Sequence, residues 1–337
     1  MVSLWIIQIV PSIKDIARIA GVSHCTVSRA LHHSPLISPA TAERIRDIAR
    51  RSGYVPNAVA RSLVSRSTHT VGVVVTTIAD PFIGEVVEGI ESMANDHGYS
   101  VILANSKADP ELEIKVVDGF TQRRVDGILV AASRVGAVHG KRLAGTKIPI
   151  VLINNQHPGE FAHSVGIDNV TASRAIVGHL LDLGHRRIAF IGDRLGYQSD
   201  AERYAGYRAM MPDVDPKLVM RGDGKPEQGE WAATQLLGLS RPPSAIICYN
   251  DMTALGALRA SATRGLRVPE DVSIAGFDDL FVASYTSPPL TTIRQPKQEM
   301  GRRAMSILLQ LLAGEEPESR ILLPGELIVR GSTAPPL

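Results

Sequence analysis

Residues 12–31 read SIKDIARIAGVSHCTVSRAL, and this stretch contains two short helical patterns separated by a glycine. The first pattern begins at Ser12, a good N-cap, and ends at Gly21, a residue that favours a helix terminus. Its apolar residues follow the i, i+3, i+4, i+7 spacing of one buried helix face: Ile13, Ile16, Ala17 and Ala20. The stretch therefore opens with a helix of about two turns.

The second pattern follows directly and begins at Ser23, which can cap another helix. Val27, Ala30 and Leu31 give this helix an apolar face, and Val22 is placed to fill the corner between the two helices. Two short helices joined by a tight glycine turn are typical of a helix-turn-helix. The alternative at this stage is a helical hairpin on a protein surface with a solvated polar face.

A third helix, predicted over residues 38–53, would complete a small three-helix core. Ser38 and Pro39 have the residue types of an N-cap and a first helical position, and Gly53 ends the pattern. Its inner face carries Ile45, Ile48 and Ala49. The three patterns together favour a helix-turn-helix head over an isolated hairpin.

The outward side of the second helix is where such a head would contact DNA. In a helix-turn-helix, the first residues of the second helix meet base edges in the major groove, and hydroxyl groups hold phosphates. Base reading is predicted for His24, Cys25 and Arg29. The full set predicted to contact DNA from this helix is Ser23, His24, Cys25, Thr26, Ser28 and Arg29.

Charge is distributed unevenly along the chain. Residues 1–70 contain nine Lys/Arg and three Asp/Glu, a net charge of +6, whereas residues 71–337 contain 27 and 31, a net charge of −4. A basic head on an acidic body is the pattern expected of a protein that binds phosphate groups at one end only.

The segments IKDIARIAGVS, TVSRAL and GYVPNAVARSL resemble the lactose/galactose repressor (LacI/GalR) family of bacterial transcription regulators, and the resemblance covers about residues 12–335. It implies that residues 23–29 are the recognition helix, with His24 and Cys25 at the two positions that vary most with operator choice. It also implies a hinge helix over residues 57–63 that folds on operator DNA. Leu63 would be wedged into the minor groove there, with Ala60 beside it.

The residues themselves favour the same interpretation of the hinge. A helix over residues 57–63 has about two turns, and isolated helices shorter than roughly 12 residues are marginal in water, so we expect it to be disordered without a partner. Pro56 favours extended backbone before it, and Asn57 is a good N-cap. The predicted DNA contacts outside the recognition helix are Tyr54, Asn57, Ala60 and Leu63.

From Thr70 onward, buried-type strands alternate with helices, which predicts parallel, doubly wound sheets. A first series runs to residue 154 and includes a predicted helix near residues 138–144; a second series restarts at Ser164. Two such sheets leave a cleft between them. The expected fold is a small all-α helix-turn-helix head followed by an α/β body with two lobes, similar through the family resemblance to periplasmic sugar-binding proteins.

The expected domain boundaries follow from these patterns. Residues 1–11 are expected to be a disordered extension or to lie upstream of the true start. Residues 12–56 form the head, residues 57–69 the hinge helix and linker, and residues 70–337 the body that binds an effector and dimerises.

Ligands of open α/β sheets bind beyond the carboxyl ends of the strands, so the candidate effector contacts are polar or aromatic residues at those ends. Arg203 matches the arginine that the family places in the cleft. Within the adjacent pairs at 250–251 and 278–279, the first residue of each is predicted to face the cleft. Asp251 is predicted to cap a helix, and Asp279 to have a structural role or a secondary role at the site. The predicted effector-binding residues are Phe82, Asn154, Arg203, Asn250 and Asp278. Two roles stay open for Phe82: it could stack on a ligand, but a lone aromatic residue at such a position belongs to a core more often. The polar groups suit a neutral polyhydroxylated molecule.

The sequence lacks the G-x-x-x-x-G-K-[ST], H-E-x-x-H, G-x-S-x-G and G-x-G-x-x-G motifs, so we expect no enzyme activity, metal or cofactor. A hydrolase using Asp278 and Asp279 is the best enzymatic alternative, but adjacent strand-end carboxyls do not converge on one bond. A plain solute-binding protein would need a secretion signal and no basic head. The apolar opening at residues 2–10 is too short to span a bilayer.

Two cysteines, Cys25 and Cys248, are too few for a disulfide framework and suit a reducing cytoplasm. The expected function is that of a cytoplasmic, nucleoid-associated repressor whose operator affinity is switched by a small sugar. The alternatives are a purine-type corepressor or an activator. A homodimer on a near-palindromic operator is expected, because protein two-fold symmetry requires operator symmetry and the chain shows no C-terminal leucine heptads.

Overall fold

A computed structural model describes residues 11–31, 34–54, 67–131, 148–154 and 162–337, and its contacts divide the chain into two compact units after Thr68. The first unit is the predicted three-helix head. Its helices are α1 (Ile13–Ala20), α2 (His24–Leu31) and α3 (Pro39–Arg51). Ile16, Val27 and Ile45, one from each helix, are fully buried in a common core. The helix-turn-helix prediction is therefore confirmed.

Ser12 and Gly21 cap the two ends of α1, as the sequence analysis predicted. Ser12 and Asp15 form a capping box, in which the Ser12 hydroxyl accepts from the Asp15 amide and the Asp15 carboxylate accepts from the Ser12 amide. Gly21 adopts φ 65°, the left-handed conformation that glycine favours at a helix end. Arg44 on α3 donates to the Ala20 carbonyl at 2.9 Å, so α3 satisfies the end of α1.

The first lobe of the second unit contains a six-stranded parallel sheet. Its strands, in spatial order, are β11 (Arg320–Leu323), β5 (Ser164–Ile167), β4 (Ile150–Ile153), β3 (Gly127–Ala131), β1 (Thr70–Val75) and β2 (Ser100–Asn105). The register aligns Thr70 with Ser100 and Val71 with Gly127. Among the described residues, three helices cover the sheet: α4 (Pro81–Asp96), α5 (Pro110–Gln122) and α10 (Lys297–Leu312).

The second lobe contains a four-stranded parallel sheet in the order β7 (Val219–Gly222), β6 (Ile188–Asp193), β8 (Ala245–Cys248) and β9 (Ser273–Ala275). Helices α6 (Asn169–Asp182) and α7 (Gln198–Met210) cover one face, and α8 (Pro226–Leu237) and α9 (Asp251–Thr263) cover the other. A separate antiparallel pair, β10 (Thr292–Arg294) and β12 (Glu326–Ile328), packs on the α6 side. The two-lobed α/β prediction is confirmed.

One predicted strand belongs to the other lobe. The sequence analysis assigned residues 165–167 to the second lobe, but β5 pairs with β4 and β11 in the first sheet. The alternating pattern does not reveal the sheet that a strand joins, because β5 is short and is followed by a helix like any other βα unit. The sequence analysis also did not predict β7 and β10.

In the part of the chain that the structure describes, three crossings between the lobes occur, at residue 168, at residues 295–296 and at residues 324–325. The crossings lie close together: a Cβ on Gly325 would sit 2.9 Å from the Ile293 side chain and 3.0 Å from that of Ile167. The chain thus returns across the lobes near its end. The predicted helix at residues 138–144 lies outside the described residues.

Within the described part of the chain, no helix is both long enough and apolar enough to span a bilayer.

Candidate functional site

The predicted base readers lie on the exposed side of α2. His24, Cys25 and Arg29 are exposed, and the Cys25 Sγ lies 3.5 Å from His24 Nε2. These three side chains are open to a partner on the face opposite the head core. The outward orientation that the helical spacing predicted for them is present, while their contacts with bases remain a prediction.

The two hydroxyl residues at the start of α2 serve the helix itself. The Ser23 hydroxyl accepts from the Thr26 amide at 3.1 Å, as an N-cap, and the Ser23 and Thr26 hydroxyls lie 2.9 Å apart. Ser28 is half-buried, and Tyr54 packs against the core of the head. The predicted contacts at Asn57, Ala60 and Leu63 lie outside the described residues.

Arg203, on α7 of the second lobe, is held by groups from several elements. Its Nε donates to Asn169 Oδ1 at 2.9 Å, and its Nη1 donates to the Tyr249 carbonyl. Its Cζ lies 3.7 Å from the centroid of the Phe277 ring and 4.7 Å from that of Tyr249. The side chain is 6% exposed. Arg203 is therefore a preorganised cation whose orientation is fixed by stacking and hydrogen bonds.

Asp278 lies opposite this guanidinium at the carboxyl end of the β9 strand. Its Oδ1 is 3.8 Å from Arg203 Nη2 and accepts from Gln295 Nε2 at 2.5 Å. Burial raises the pKa of the Asp278 carboxyl well above its usual range, and the Arg203 cation opposes that rise. The neighbouring carboxyls of Asp251 and Asp80 raise this pKa further. The Asp278 carboxyl therefore lies beside Arg203, and its protonation state depends on its burial and on the neighbouring charges.

Asp279 has the structural role that the sequence predicted. Its two oxygens accept from Arg294 Nε at 2.7 Å and from Arg330 Nη2 at 2.6 Å. Asp278 and Asp279 adopt φ 118° and 50°, so two consecutive non-glycine residues lie at positive φ. The two carboxyl groups contact different partners, Asp278 with Gln295 and Arg203, and Asp279 with Arg294 and Arg330.

The predicted roles of Asn250 and Asp251 need a correction. Asn250, not Asp251, is the N-cap of α9: its Oδ1 accepts from the Thr253 amide at 2.8 Å, and its Nδ2 donates to the Gly224 carbonyl at 3.1 Å. Asp251 is fully buried and accepts from the Thr292 hydroxyl and the Leu280 amide. Residue type alone favours either as a cap, so the sequence did not separate them.

Two other predicted effector contacts sit in the first lobe. Phe82 is 8% exposed and belongs to the core formed with α10 and β1, so stacking on a ligand remains a prediction for it. Asn154 follows β4 with φ 51°, and its backbone N–H donates to the Val165 carbonyl at 2.8 Å. The structure brings Arg203 and Asp278 together. It places Phe82 in a core, and the side-chain amide of Asn250 forms hydrogen bonds with nearby backbone groups.

The sequence analysis missed several residues of this region, including Phe277, whose ring stacks on Arg203. Asn169 and Gln295 orient Arg203 and Asp278, and Tyr249 contributes both a ring and a carbonyl to Arg203. Each stands beside a strand end or a lobe crossing, which is the positional signal that could have identified them. Gln295 is 2% exposed, and its Oε1 has no hydrogen-bond partner, which leaves one buried acceptor beside Asp278.

The arrangement combines a buried cation, a buried carboxyl, amides and aromatic rings near the point where the chain crosses between lobes. It can orient a small polar molecule through several hydrogen bonds. Among the described residues, no cluster of three or more His, Cys, Asp or Glu side chains has an arrangement that would hold a metal ion.

Comparison with known proteins shows two matching family models. The model described as bacterial regulatory proteins, lacI family, matches residues 12–57, and that of a periplasmic binding protein-like domain matches residues 177–333. The transcriptional repressor CytR of Escherichia coli (strain K12) is 38% identical over 96% of this chain and 96% of its own length. The repressor PurR of Haemophilus influenzae (strain PittEE) is 35% identical over 95% and 98%.

Solved structures give the same result for the fold. The lac repressor dimer bound to operator and the anti-inducer ONPF superposes with a TM-score of 0.90 at 29% identity, covering 96% of this chain and 99% of that one. A complex of the regulator CelR with cellobiose has a TM-score of 0.73 at 32% identity, with the same coverage. The head and the two-lobed body are therefore both shared with ligand-bound regulators.

Proposed function

This chain belongs to the lacI family of bacterial regulatory proteins, and we propose that a small polyhydroxylated molecule bound beside Arg203 and Asp278 sets its affinity for an operator. It is a DNA-binding transcriptional regulator, and its close relatives are repressors rather than enzymes. The proposal concerns the finer points: the chemical class of the effector, the residues that bind it, and the operator symmetry.

The observation that carries the proposal is the buried pairing of Arg203 with Asp278. A guanidinium and a carboxyl in a water-poor site offer donors and acceptors together, which suits hydroxyl groups because each hydroxyl both donates and accepts. The unpaired Oε1 of Gln295 adds an acceptor for a further hydroxyl. The cellobiose complex of CelR supports a sugar as the ligand class, since the same fold binds one there.

A purine-type ligand is the second candidate. Phe277 and Tyr249 supply aromatic surface at the site, which would suit a flat base. Arg203 already stacks on both rings, so a base would have to displace the guanidinium or bind at another surface. This favours the sugar.

On the DNA side, we propose that the chain acts as a homodimer in the cytoplasm, as a repressor, and binds a near-palindromic operator. The lac repressor structure is a dimer on its operator, and two-fold protein symmetry calls for a symmetric site. His24, Cys25 and Arg29 would read bases. Leu63 would enter the minor groove, where insertion of an apolar side chain kinks the duplex.

The first experiment is thermal unfolding of the full-length protein with cellobiose, D-ribose, D-galactose, gluconate, glucose 6-phosphate, adenine and hypoxanthine. A ligand at about 100 times its Kd adds roughly 2.7 kcal/mol to the free energy of unfolding, enough to raise the midpoint measurably. A sugar that raises the midpoint of the wild type but not of Arg203→Lys supports the proposal. A purine that raises the midpoint of the wild type but not of Arg203→Lys would mean that the effector is a purine-type corepressor and not a sugar.

A further inference from the structure

Lys297, the first residue of α10, has its ammonium group buried between three structural elements. The side chain is 3% exposed. Its Nζ donates at 2.8 Å to the carbonyl of Asp278 and at 2.8 Å to that of Asp279. The same Nζ lies 3.3 Å from Glu85 Oε1, on helix α4 of the first lobe.

These three contacts match the three N–H donors of a lysine ammonium group. A buried charge that lacked any of them would be costly, because the surrounding protein cannot replace the lost hydration. The position is therefore specific for a cation with three donors. A hydrocarbon side chain there would leave the two carbonyls without the donor that they now share.

The two carbonyls belong to the only adjacent pair of non-glycine residues near the site that both adopt positive φ, within the described part of the chain. This backbone is intrinsically unfavourable and persists when neighbouring groups hold it in place. Lys297 is such a group. Gln295, two residues earlier, holds the Asp278 carboxyl itself at 2.5 Å, so one crossing segment fixes both the backbone and the side chain of this residue.

We propose that Lys297 is a positioning residue for the effector site: it holds the turn at residues 278–279 so that the Asp278 carboxyl faces Arg203. Through Glu85, it also links that turn to the first turns of α4. The expected effect of Lys297 on the ligand response rests on the proposed function. Its contact with the turn at residues 278–279 does not depend on any ligand. Lys297 contacts no ligand in this scheme and acts through Asp278.

The first arm of the test measures hydrogen exchange in the full-length, ligand-free protein. Lys297→Met keeps the unbranched stem and removes the ammonium group. Arg303→Met is the matched control, because Arg303 forms an exposed pair with Glu299 on the same helix. The Asp278 and Leu280 amides, which donate to the Ile293 carbonyl and the Asp251 carboxyl, should exchange at least about tenfold faster in Lys297→Met only.

Glu85→Gln separates the two contacts. Its amide keeps the shape of the carboxyl but removes the charge, so exchange should rise in the peptide covering residues 81–86 and remain unchanged in that covering residues 277–283. Equal protection of residues 277–283 in the wild type and Lys297→Met overturns the proposal. A uniform rise across all peptides of Lys297→Met also overturns it, because that would indicate general loss of stability.

The second arm uses the compounds of the thermal unfolding panel, one by one, and a DNA site selected from random sequence with the wild type. In Lys297→Met, the concentration of the active compound needed for half of the change in DNA binding should rise about tenfold, while DNA affinity without it stays within twofold. Equal losses in both would show a merely structural role. If no compound acts on the wild type, the proposed effector class fails, and the exchange arm still decides the role of Lys297.

Discussion

The Arg203 guanidinium lies against the face of the Phe277 ring, with its Cζ 3.7 Å from the ring centroid, and thereby joins α7 to the strand end that carries Asp278. A planar guanidinium can stack on an aromatic face and donate in its own plane at the same time. Arg203 does both, because Asn169 and the Tyr249 carbonyl accept from it. The aromatic ring fixes the plane in which Arg203 offers its remaining donors.

Arg203→Lys should abolish the ligand response and keep DNA binding. Lysine retains the charge but has neither the planar fork nor the stacking surface, so the donors lose their fixed directions. We expect DNA affinity without ligand to stay within about twofold, measured by fluorescence anisotropy on the selected site. Arg203→Ala should also cost about 3 kcal/mol of stability, because it leaves the buried acceptors of Asn169, Tyr249 and Asp278 without the guanidinium that faces them. A lysine variant with a wild-type response would show that Arg203 does not bind the effector.

Arg29→Ala should weaken specific DNA binding without affecting the fold of the head. Arg29 is exposed on α2, and loss of an arginine contact to a base edge typically costs about 1–3 kcal/mol, or roughly 5- to 150-fold in affinity. Arg50→Ala is the matched control, since Arg50 is exposed on α3 and pairs with Asp47. Both variants should unfold within about 0.5 kcal/mol of the wild type. Equal loss of binding in the two would assign a non-specific, electrostatic role to Arg29.

The architecture could be predicted from the sequence because its signals are local. The head helices are marked by caps and by apolar residues at helical spacing, as at Ser12 and Ile16, and the strands by continuous apolar runs. The sheet joined by β5 could not be predicted, since pairing with β4 and β11 depends on contacts between segments distant in the chain. Local patterns determine which elements form but not which elements become neighbours.

The candidate site was predictable in part for the same reason. Arg203 and Asp278 stand at positions that the family resemblance and the strand ends identify. Lys297 was not among the predicted site residues, because its partners at 278, 279 and 85 come from remote segments. That Asn250 rather than Asp251 caps α9 depends on the backbone direction at the end of β8, which residue type does not encode.

Gly301→Ala should destabilise the first lobe, whereas Gly84→Ala should stabilise it. A Cβ on Gly301 of α10 would lie 2.1 Å from the Val86 carbonyl oxygen of α4, so the two helices would have to separate. Forced overpacking typically costs about 1–3 kcal/mol. Gly84 lies within α4 and a Cβ there meets nothing within 4 Å, so alanine should add about 0.5–1 kcal/mol through helix propensity. Urea unfolding of the two variants measures the difference, and equal effects would contradict the close helix crossing.

His185 ties the C-terminal segment to the second lobe and should make its stability depend on pH. The ring is 1% exposed; Nε2 lies 2.9 Å from the Ala334 carbonyl and Nδ1 lies 2.9 Å from the Ser244 hydroxyl. Because only a carbonyl faces Nε2, that nitrogen carries the proton, and Nδ1 accepts from Ser244 in the neutral ring. Burial lowers the pKa of His185 below its usual 6.5.

The unfolded chain therefore binds a proton at His185 at higher pH than the folded chain does. The stability that neutral His185 contributes is present above about pH 6.5 and is lost as the pH falls through the lowered pKa. His185→Gln removes this titration while retaining a side chain with both a donor and an acceptor. The decrease in unfolding midpoint between pH 7.5 and pH 5 should be smaller in His185→Gln than in the wild type. His97→Gln, which makes the same substitution at an exposed helix end, is the matched control variant. Parallel pH profiles for the wild type and His185→Gln would show that the buried ring does not carry the effect.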